Sequence, residues 1–435
     1  MRSVRNHVSK SDSEHKPKSG RPLRGVPGHP ANSASYHLTS DFRSSILRAS
    51  GSTNPLILLQ AKRVDQHKHD QQMVSVYAHI YGDRYSFDEQ ELEDAKFLIT
   101  KNVDEFNDPE FRLGDCRVFN IGTGREAMAF WLLGTKEIVL FDMSPTPKKN
   151  INALKAENAE LANLHAYQGD FSRDDLSDKG KFDFVYLNGV FHHLHAPAAA
   201  AQNISRLADH NAKVFLRIYR TGSLQYFAAE LVRQFLPIDT DKGLFDNIFV
   251  DMLGSYPMDL GLSHDHPVVH LHESICDNSF VPVLALFDPD KLISYFEDLG
   301  FACVNRPDIP AYDHDNNNKA DTGVSLYFVK RSAAAVLSDS DDRLVSVSQL
   351  DIPYAENEIL KTTVLFKSVS DKLQALDIKQ KIAMAIKINL ICQSKRIYEG
   401  YRESGNDNAL MQDYAVNNAS TGAIHGSLQD LLASI

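Results

Sequence analysis

The sequence contains few cysteines and no long apolar run. Its cysteines include no Cys-x-x-Cys pair, which argues against a zinc site or a disulfide framework; they are Cys116, Cys276, Cys303 and Cys392. No apolar stretch is long enough to span a bilayer, and the basic N-terminus lacks the apolar segment of a secretory signal. We therefore expect a cytoplasmic protein with no membrane partner.

The sequence also has fewer basic than acidic residues. The 435 residues include 46 Lys and Arg against 57 Asp and Glu, giving a formal net charge of −11. This balance provides no electrostatic reason to bind nucleic acid, so we do not expect a nucleic-acid partner. The hydrophobic share of 43% is ordinary for a globular chain, and the length predicts two or three domains.

The stretch from Arg117 to Ala127 carries the clearest structural signal in the sequence. Residues 118–121, Val-Phe-Asn-Ile, predict a short buried strand, Gly122-Thr123-Gly124 predicts a tight turn, and a helix is expected from Glu126. Glycine permits backbone angles that a Cβ forbids and lets a ligand lie against the main chain. The first helical turn points its N–H groups at such a ligand, which predicts a site for a nucleotide-like cofactor. The same spacing also fits the dinucleotide-binding fingerprint.

The chain downstream of this turn alternates strands and helices. Continuous apolar runs predict strands buried on both faces, as in a parallel sheet covered by helices. Such sheets bind ligands at the carboxyl ends of their strands. Polar residues or glycine are expected at those ends; they are Gly122, Asp142, Asp170, Asn188 and Tyr219.

Composition divides the remaining chain into segments. We predict a disordered or loosely attached arm (1–53), a helical N-terminal lid (54–115), the cofactor-binding core (116–222), a cap insertion (223–287) with a helix at Leu224–Phe235 and irregular sequence after it, the end of the sheet domain (288–331) and a helical C-terminal extension with its tail (332–435). The basic arm either contacts an anionic surface or is a solvated tail. The C-terminal helices either pack on the sheet domain or join two subunits of a homo-oligomer.

Several motifs in order resemble the class I S-adenosylmethionine-dependent methyltransferases. These are FNIGTGRE at the glycine turn, LFD ending in Asp142, Gly169-Asp170-Phe171, the phrase GVFHHL from Gly189, and the closing segments LISYFEDLGF and SLYFVK. The resemblance runs from about Tyr77 to Arg331. It implies an α/β fold, a doubly wound seven-stranded mostly parallel sheet with an antiparallel C-terminal hairpin, and S-adenosylmethionine as cofactor.

Roles for individual residues follow from this resemblance. Asp142 lies at the distance from the first glycine at which a carboxylate accepts hydrogen bonds from both ribose hydroxyls. The resemblance implies that Asp170 contacts the adenine amino group, that Phe171 packs on the ring, and that Asn188 lies beside the sulfonium. The full cofactor set is Asn120, Gly122, Thr123, Gly124, Asp142, Met143, Asp170, Phe171, Asn188 and Gly189. Alternatively, Asp142 caps the next helix and Asp170 is a turn residue.

Two positions depart from the family pattern. The family usually carries Asp or Glu where this chain has Asn120, which can accept a hydrogen bond but brings no charge for the ammonium of the cofactor. Glu126 replaces the third glycine of the motif.

The candidate catalytic residues follow the fourth and fifth strands. They are His192, His193, His195 and Tyr219. Histidine titrates near neutral pH and so suits a general base that removes a proton from a methyl acceptor. The alternative is that these histidines cap the next helix.

Candidate substrate-binding residues lie in the lid and the cap. Tyr77, Tyr81 and Tyr85 share a helix spacing, either as a lid over the ligand or as a core stripe. In the cap, His270 and His272 would share one side if the segment is extended. Weaker candidates in the same segment are Asp277, Asn278 and Phe280. Histidines and carboxylates of this kind bind zinc or iron, but we expect no metal and assign the two histidines to a substrate pocket.

These observations predict a methyltransferase that acts on a small or medium-sized metabolite by in-line transfer. No Asn/Asp-Pro-Pro-Tyr motif or cysteine follows the fourth strand, as base methylation often requires. An NAD-dependent oxidoreductase and a catalytically silent cofactor-binding scaffold remain as alternatives.

Overall fold

A computed structural model describes residues 70–78, 89–219, 223–253, 267–304, 306, 323–332, 341–346, 358–402, 409–418 and 421–435. The predicted N-terminal arm, Tyr81, Tyr85 and the polar loop before the last strand lie outside these residues.

A seven-stranded sheet forms the centre of the core. Its strands are β1 (Arg117–Ile121), β2 (Glu137–Asp142), β3 (Leu164–Gln168), β4 (Phe182–Asn188), β5 (Ala208–Tyr219), β6 (Phe301–Cys303) and β7 (Gly323–Lys330). Their spatial order is β3-β2-β1-β4-β5-β7-β6, and β7 runs antiparallel to both β5 and β6. Because the order reverses between β1 and β4, a crevice opens at the carboxyl ends of these two strands. The predicted fold class is confirmed.

Helices cover both faces of this sheet. Two helices precede β1 in the chain, α1 (70–78) and α2 (Glu89–Asp104). Further helices connect the strands: α3 (Arg125–Leu132), α4 (Pro145–Glu157), α5 (Pro197–Leu207) and, before β6, α9 (Pro289–Asp298). One hydrophobic cluster, with Val118 and Phe130, lies between the sheet and α2 and α3. A second cluster, with Phe119 and Ile204, fills the opposite face. Alternate residues of β1 therefore serve opposite layers, as the continuous apolar run predicts.

Local sequence sets the N-terminal ends of two helices. Asp288 caps α9 by accepting hydrogen bonds from the N–H groups of Asp290 and Lys291, and Pro289 occupies the first turn. Ser144 caps α4 through the N–H of Thr146. The apolar run of the sequence predicts this strand over Lys213–Ile218, and that start is wrong, because β5 already begins at Ala208. The exposed residues 209–211 supply no apolar signal for this extension.

The described residues of the cap contain two helices beyond the predicted one, which corrects the prediction of irregular sequence there. Besides the expected α6 (Leu224–Arg233), the cap contains α7 (Lys242–Leu253) and α8 (Pro267–Ser279). His270 and His272 therefore lie on a helix, where residues two apart face different sides, and the extended alternation is wrong. His264, Asp265 and His266 lie outside the described residues. In α7 the apolar residues Phe245 and Phe249 do recur at helical spacing, a signal that the prediction overlooked.

The C-terminal helices join the cap. They are α10 (Glu358–Ser368), α11 (Ser370–Ala375), α12 (Ile378–Arg402), α13 (Ala409–Asn417) and α14 (Thr421–Ala433). The buried residues Phe227, Phe245, Leu271, Ile386 and Leu428 belong to one hydrophobic cluster that spans the cap and these helices. The extension thus packs mainly on the cap, an arrangement that helical periodicity alone did not reveal. None of the described helices is both long and apolar enough to cross a membrane.

Candidate active site

The glycine turn follows β1 directly and begins α3. Gly122 has φ of +149° and Gly124 has φ of +100°, backbone conformations that residues with a Cβ rarely adopt. Gly124 caps α3 without a side chain, so the N-terminal N–H groups of this helix remain available to a ligand. Thr123 connects the two glycines. This geometry confirms the strand, turn and helix that the motif predicts.

Three polar side chains meet beside the turn. Asn120 is fully buried, and its Nδ2 donates to the carbonyl oxygen of Tyr186 over 3.4 Å. Its Oδ1 has no hydrogen-bond partner among the described residues. Asn188, at the end of β4, donates through Nδ2 to Glu126 Oε1 over 3.3 Å. Glu126 is itself buried, at 6% exposure.

Asp142 ends β2, at the same edge as the turn. Its Oδ1 accepts a 2.7 Å hydrogen bond from the N–H of Ser144. Burial raises the pKa of Asp142 to about 7, and the hydrogen bond from Ser144 offsets only part of this rise. A partly buried carboxylate of this kind is stabilised by further hydrogen-bond donors, such as sugar hydroxyls.

The next strand end places its two candidate residues differently. Asp170 accepts a hydrogen bond from the N–H of Ser172 and lies 3.2 Å from Arg173 Nε, so its carboxylate is already paired. The ring of Phe171 is buried against Phe119 and Phe141 in the core. The structure therefore adds a turn role for Asp170 and a packing role for Phe171, and their contacts with adenine stay predictions. Met143, beyond Asp142, packs against the cap cluster.

His192 and His193 follow β4 in a short helical turn. His192 is fully buried, and its Nδ1 accepts a hydrogen bond from the N–H of Tyr219 over 3.1 Å. The proton of the neutral ring therefore resides on Nε2, which has no partner among the described residues. Burial holds the pKa of His192 well below its usual value, so the ring stays neutral.

His193 belongs to a cluster that also contains Tyr219 and Asp277. Its Nδ1 lies 2.9 Å from the carbonyl oxygen of Val283, which only accepts, so Nδ1 carries the proton. Nε2 then holds a lone pair, without a hydrogen bond among the described residues and 3.7 Å from Asp277 Oδ1. Burial lowers the pKa of His193, while the carboxylate of Asp277 acts in the opposite direction.

Tyr219 ties this cluster to the cap. Its hydroxyl donates a 2.6 Å hydrogen bond to Asp277 Oδ2 on α8. The ring stacks on His192, with centroids 3.4 Å apart, and on Tyr226 of α6 at 4.5 Å. Burial, and then the negative charge of Asp277, raise the pKa of Tyr219 well above its usual value, so the hydroxyl remains protonated.

The remaining candidates separate into two groups. Tyr77 of α1 meets His193 edge-on, with ring centroids 5.9 Å apart. His195 lies 3.7 Å from Asp70 Oδ1, which also pairs with Arg173. His272 instead lies inside the cap, where its Nε2 is 2.8 Å from Asp246 Oδ1. The structure thus brings Tyr77 to the histidine cluster but does not bring His272 there.

Asp277 is the residue that the sequence identified least well. It stood only as a weak candidate within the cap, because a single aspartate on a polar helix carries no local signal. It reaches Tyr219 across 58 positions of chain. Among the residues that the structure describes, no three His, Cys, Asp or Glu side chains form a group able to hold a metal ion.

Comparisons with known proteins identify the central segment. Residues 119–216 match a family described as "Methyltransferase domain". No curated protein matches the chain.

Solved structures resemble a part of the chain. The N-terminal domain of EvdMO1, crystallised with S-adenosylhomocysteine, is 17% identical over 32% of this chain and 53% of its own, with a TM-score of 0.25. The 1,6-didemethyltoxoflavin-N1-methyltransferase of Burkholderia thailandensis is 18% identical over 36% and 64%, with a TM-score of 0.27. TehB from Haemophilus influenzae is 17% identical over 28% and 41%, with a TM-score of 0.23.

The chain spans about half the length of the EvdMO1 domain, and superpositions this limited carry no argument about substrate. The match of residues 119–216 to the family confirms the prediction that the motifs made, and the cofactor of that family is S-adenosylmethionine. The chain therefore contains a methyltransferase domain of the class I, S-adenosylmethionine-dependent family.

Proposed function

We propose that this protein transfers a methyl group from S-adenosylmethionine to a small or medium-sized metabolite that bears an ionisable hydroxyl or amine. The observation that carries the proposal is the cluster of His193, Asp277 and Tyr219 at the carboxyl edge of the sheet. β5 is separated from β1 by one strand, so Tyr219 and the glycine turn lie about 10 Å apart at the same edge of the sheet.

The residues at the edge fit the cofactor chemically. The turn at Gly122 and Gly124 leaves backbone N–H groups exposed to a ligand, and the Asn120 oxygen is a buried acceptor that lacks a donor. Asp142 offers a partly buried carboxylate at the end of β2. Ribose hydroxyls suit Asp142, and the amino-acid end suits the turn and Asn188.

Bound S-adenosylmethionine supplies a methyl group that its sulfonium already activates. The protein must therefore position the acceptor and remove its proton. His193 is suited to that step, since its Nδ1 proton is fixed by Val283 and its Nε2 lone pair remains available. The acceptor's proton would move to Nε2 as the new bond to carbon forms and the carbon–sulfur bond breaks.

Asp277 then stabilises the result. Protonation at Nε2 makes the ring cationic, and the carboxylate 3.7 Å away offsets that charge. Tyr219 holds the carboxylate in place through its 2.6 Å hydrogen bond. His192 differs from His193 in that its Nε2 carries a proton, so it can donate a hydrogen bond to an oxygen or nitrogen of the methyl acceptor. A paired donor and base favour a polar acceptor group.

Burial supports a compact acceptor. His192 and His193 are both nearly inaccessible, and Asp277 on α8 approaches them from the cap. A polymer would require an open groove beside these groups, whereas a metabolite can be enclosed among them.

The proposal is tested by calorimetry and by methyl transfer with the full chain. We expect S-adenosylhomocysteine to bind with one-to-one stoichiometry, and radiolabel from S-adenosylmethionine to appear in a hydroxyl- or amine-bearing acceptor from a broad metabolite panel. Thermal stabilisation by NADH but not by S-adenosylhomocysteine would instead support an oxidoreductase. Cofactor binding without turnover across the panel would support a silent scaffold.

A further inference from the structure

Glu126 is a buried carboxylate at a position where the motif has glycine. Its Oε1 accepts from Asn188 Nδ2 over 3.3 Å and lies 3.4 Å from the guanidinium of Arg125. Its Oε2 would lie only 3.8 Å from a Cβ built on Gly122. The carboxylate therefore points back from α3 towards the glycine turn, rather than outward along the helix.

Among the described residues, the hydrogen bond and the ion pair of Glu126 compensate this charge only weakly. The side chain of Glu126 is 8% exposed, whereas that of Arg125 is 42% exposed, and their 3.4 Å separation is long for a charge-assisted hydrogen bond. Asn188 contributes one neutral donor at 3.3 Å. A buried carboxylate normally requires stronger compensation than this, so the site favours an additional cationic donor.

A second, independent observation indicates the same kind of ligand. Asn120 is fully buried, and its Oδ1 has no partner in the described part of the chain. Asn120 and Tyr186 are register partners on β1 and β4, and Asn188 lies two residues further along β4. The side chains at these positions project from one face of the sheet, the face that α3 covers, because strand residues alternate and Phe130 packs on Tyr186. Glu126 and the Asn120 oxygen thus lie at the same end of this face, and both accept hydrogen bonds.

We propose that Glu126 binds the α-ammonium of the cofactor together with Asn120 Oδ1, and so supplies the negative charge that β1 lacks. This inference rests on the proposed function. The negative charge in this chain would thus come from the first turn of α3 and not from the end of β1. Asn188 positions the Glu126 carboxylate through its hydrogen bond.

The test compares two ligands in calorimetric titrations of the full chain. S-Adenosylhomocysteine carries the ammonium, and 5′-methylthioadenosine lacks the whole amino-acid portion. We expect Glu126→Gln to weaken binding of S-adenosylhomocysteine about 10- to 100-fold, the usual size for a hydrogen bond to a charged group, and to change methylthioadenosine binding less than twofold. Glu93→Gln, at an exposed glutamate on α2, is the matched control and should change neither.

A charge-relocation variant identifies the site more closely. Adding Asn120→Asp to Glu126→Gln restores a carboxylate on β1, and we expect the double variant to regain at least tenfold of the lost affinity. A double variant that binds S-adenosylhomocysteine no better than Glu126→Gln would overturn the shared site.

The remaining outcomes separate this inference from the proposed function. If Glu126→Gln leaves both affinities intact, or lowers both equally, the assignment of Glu126 to the ammonium is overturned while the function stands. If the unmodified chain binds neither ligand, the proposed function itself is overturned. Unfolding curves of each variant show that loss of affinity does not reflect loss of structure.

Discussion

The glycine turn and the histidine cluster lie at neighbouring strand ends, yet they are assembled from very different lengths of chain. The turn, Glu126 and Asp142 come from 26 consecutive residues, 117–142, across two adjacent strands. The histidine cluster joins His193, Tyr219 and Asp277 with Tyr77, which lies more than a hundred residues before the others. We call the glycine turn with Glu126 and Asp142 the local half of the site. The histidine cluster is the tertiary half, because chain folding alone brings its residues together.

The difference has a chemical counterpart. The local half relies on backbone N–H groups and acceptors, which recognise a constant ligand and need little adjustment. The tertiary half relies on buried side chains contributed by the cap, whose position depends on helix packing. A cofactor shared by many enzymes suits the first arrangement. An acceptor particular to this protein suits the second, and variants should separate the two halves.

The largest effect is expected for His193→Gln. Losing the Nε2 base should lower kcat about 10²- to 10⁴-fold, because general base catalysis contributes on that scale. The affinity for S-adenosylhomocysteine should stay within twofold, since Asp142 and the turn are untouched. Steady-state kinetics and calorimetry measure the two quantities, and His210→Gln, at an exposed histidine of β5, is the control. An equal loss of cofactor affinity would show that the halves are not separable.

Asp142→Asn should have the converse effect. Removing the charge that accepts from the ribose should weaken S-adenosylhomocysteine about 10- to 100-fold, while kcat at saturating cofactor changes little. Calorimetric titration measures the affinity. Asp178→Asn, at an exposed aspartate, is the matched control. If Asp142→Asn binds S-adenosylhomocysteine with unchanged affinity, the Asp142 carboxylate does not contact the cofactor.

The same substitution should change how stability depends on pH. Burial raises the pKa of Asp142 from about 3.8 to about 7, so the folded state binds more protons than the unfolded state between these values. The contribution of this group to stability is therefore present at pH 4 and is lost as the pH rises to 7. Without ligand, Asp142→Asn should be more stable than the parent by about 1–2 kcal/mol at pH 8, and by much less at pH 4. Chemical unfolding at the two pH values measures this, and a pH-independent difference would contradict it.

The smallest effect is expected for Tyr77→Leu. Its ring meets His193 edge-on, a contact worth about 0.5–1.5 kcal/mol, so the KM for the acceptor should rise about two- to tenfold. The affinity for S-adenosylhomocysteine should not change. Steady-state kinetics with varied acceptor measures the effect. If only the affinity for S-adenosylhomocysteine changed, Tyr77 would belong to the local half instead.

Most of the local half could be predicted from the sequence. Gly122, Gly124 and Asp142 were identified because their proposed functions depend on backbone angles and on spacing within one strand–turn–helix unit. Glu126 was noted only as a departure from the motif. Its contact with Asn188 joins α3 to the end of β4, and nothing in the spacing of the two residues indicates it.

The tertiary half was predicted only in part. His192, His193 and Tyr219 were found because they follow strands, where parallel sheets collect their ligands. Their separate roles could not be predicted, since these depend on which nitrogen meets a carbonyl oxygen and which meets an N–H group. The helical cap was missed, and with it the importance of Asp277.

The sequence by itself determined the order of the elements, the glycine turn and the family, because each depends on hydrophobic period and on short-range geometry. Tertiary structure alone decided that the C-terminal helices pack on the cap, that His272 is enclosed there with Asp246, and that Asp277 reaches Tyr219. These contacts arise when apolar helix faces bury one another, and that burial brings together residues whose separation in the chain carries no signal.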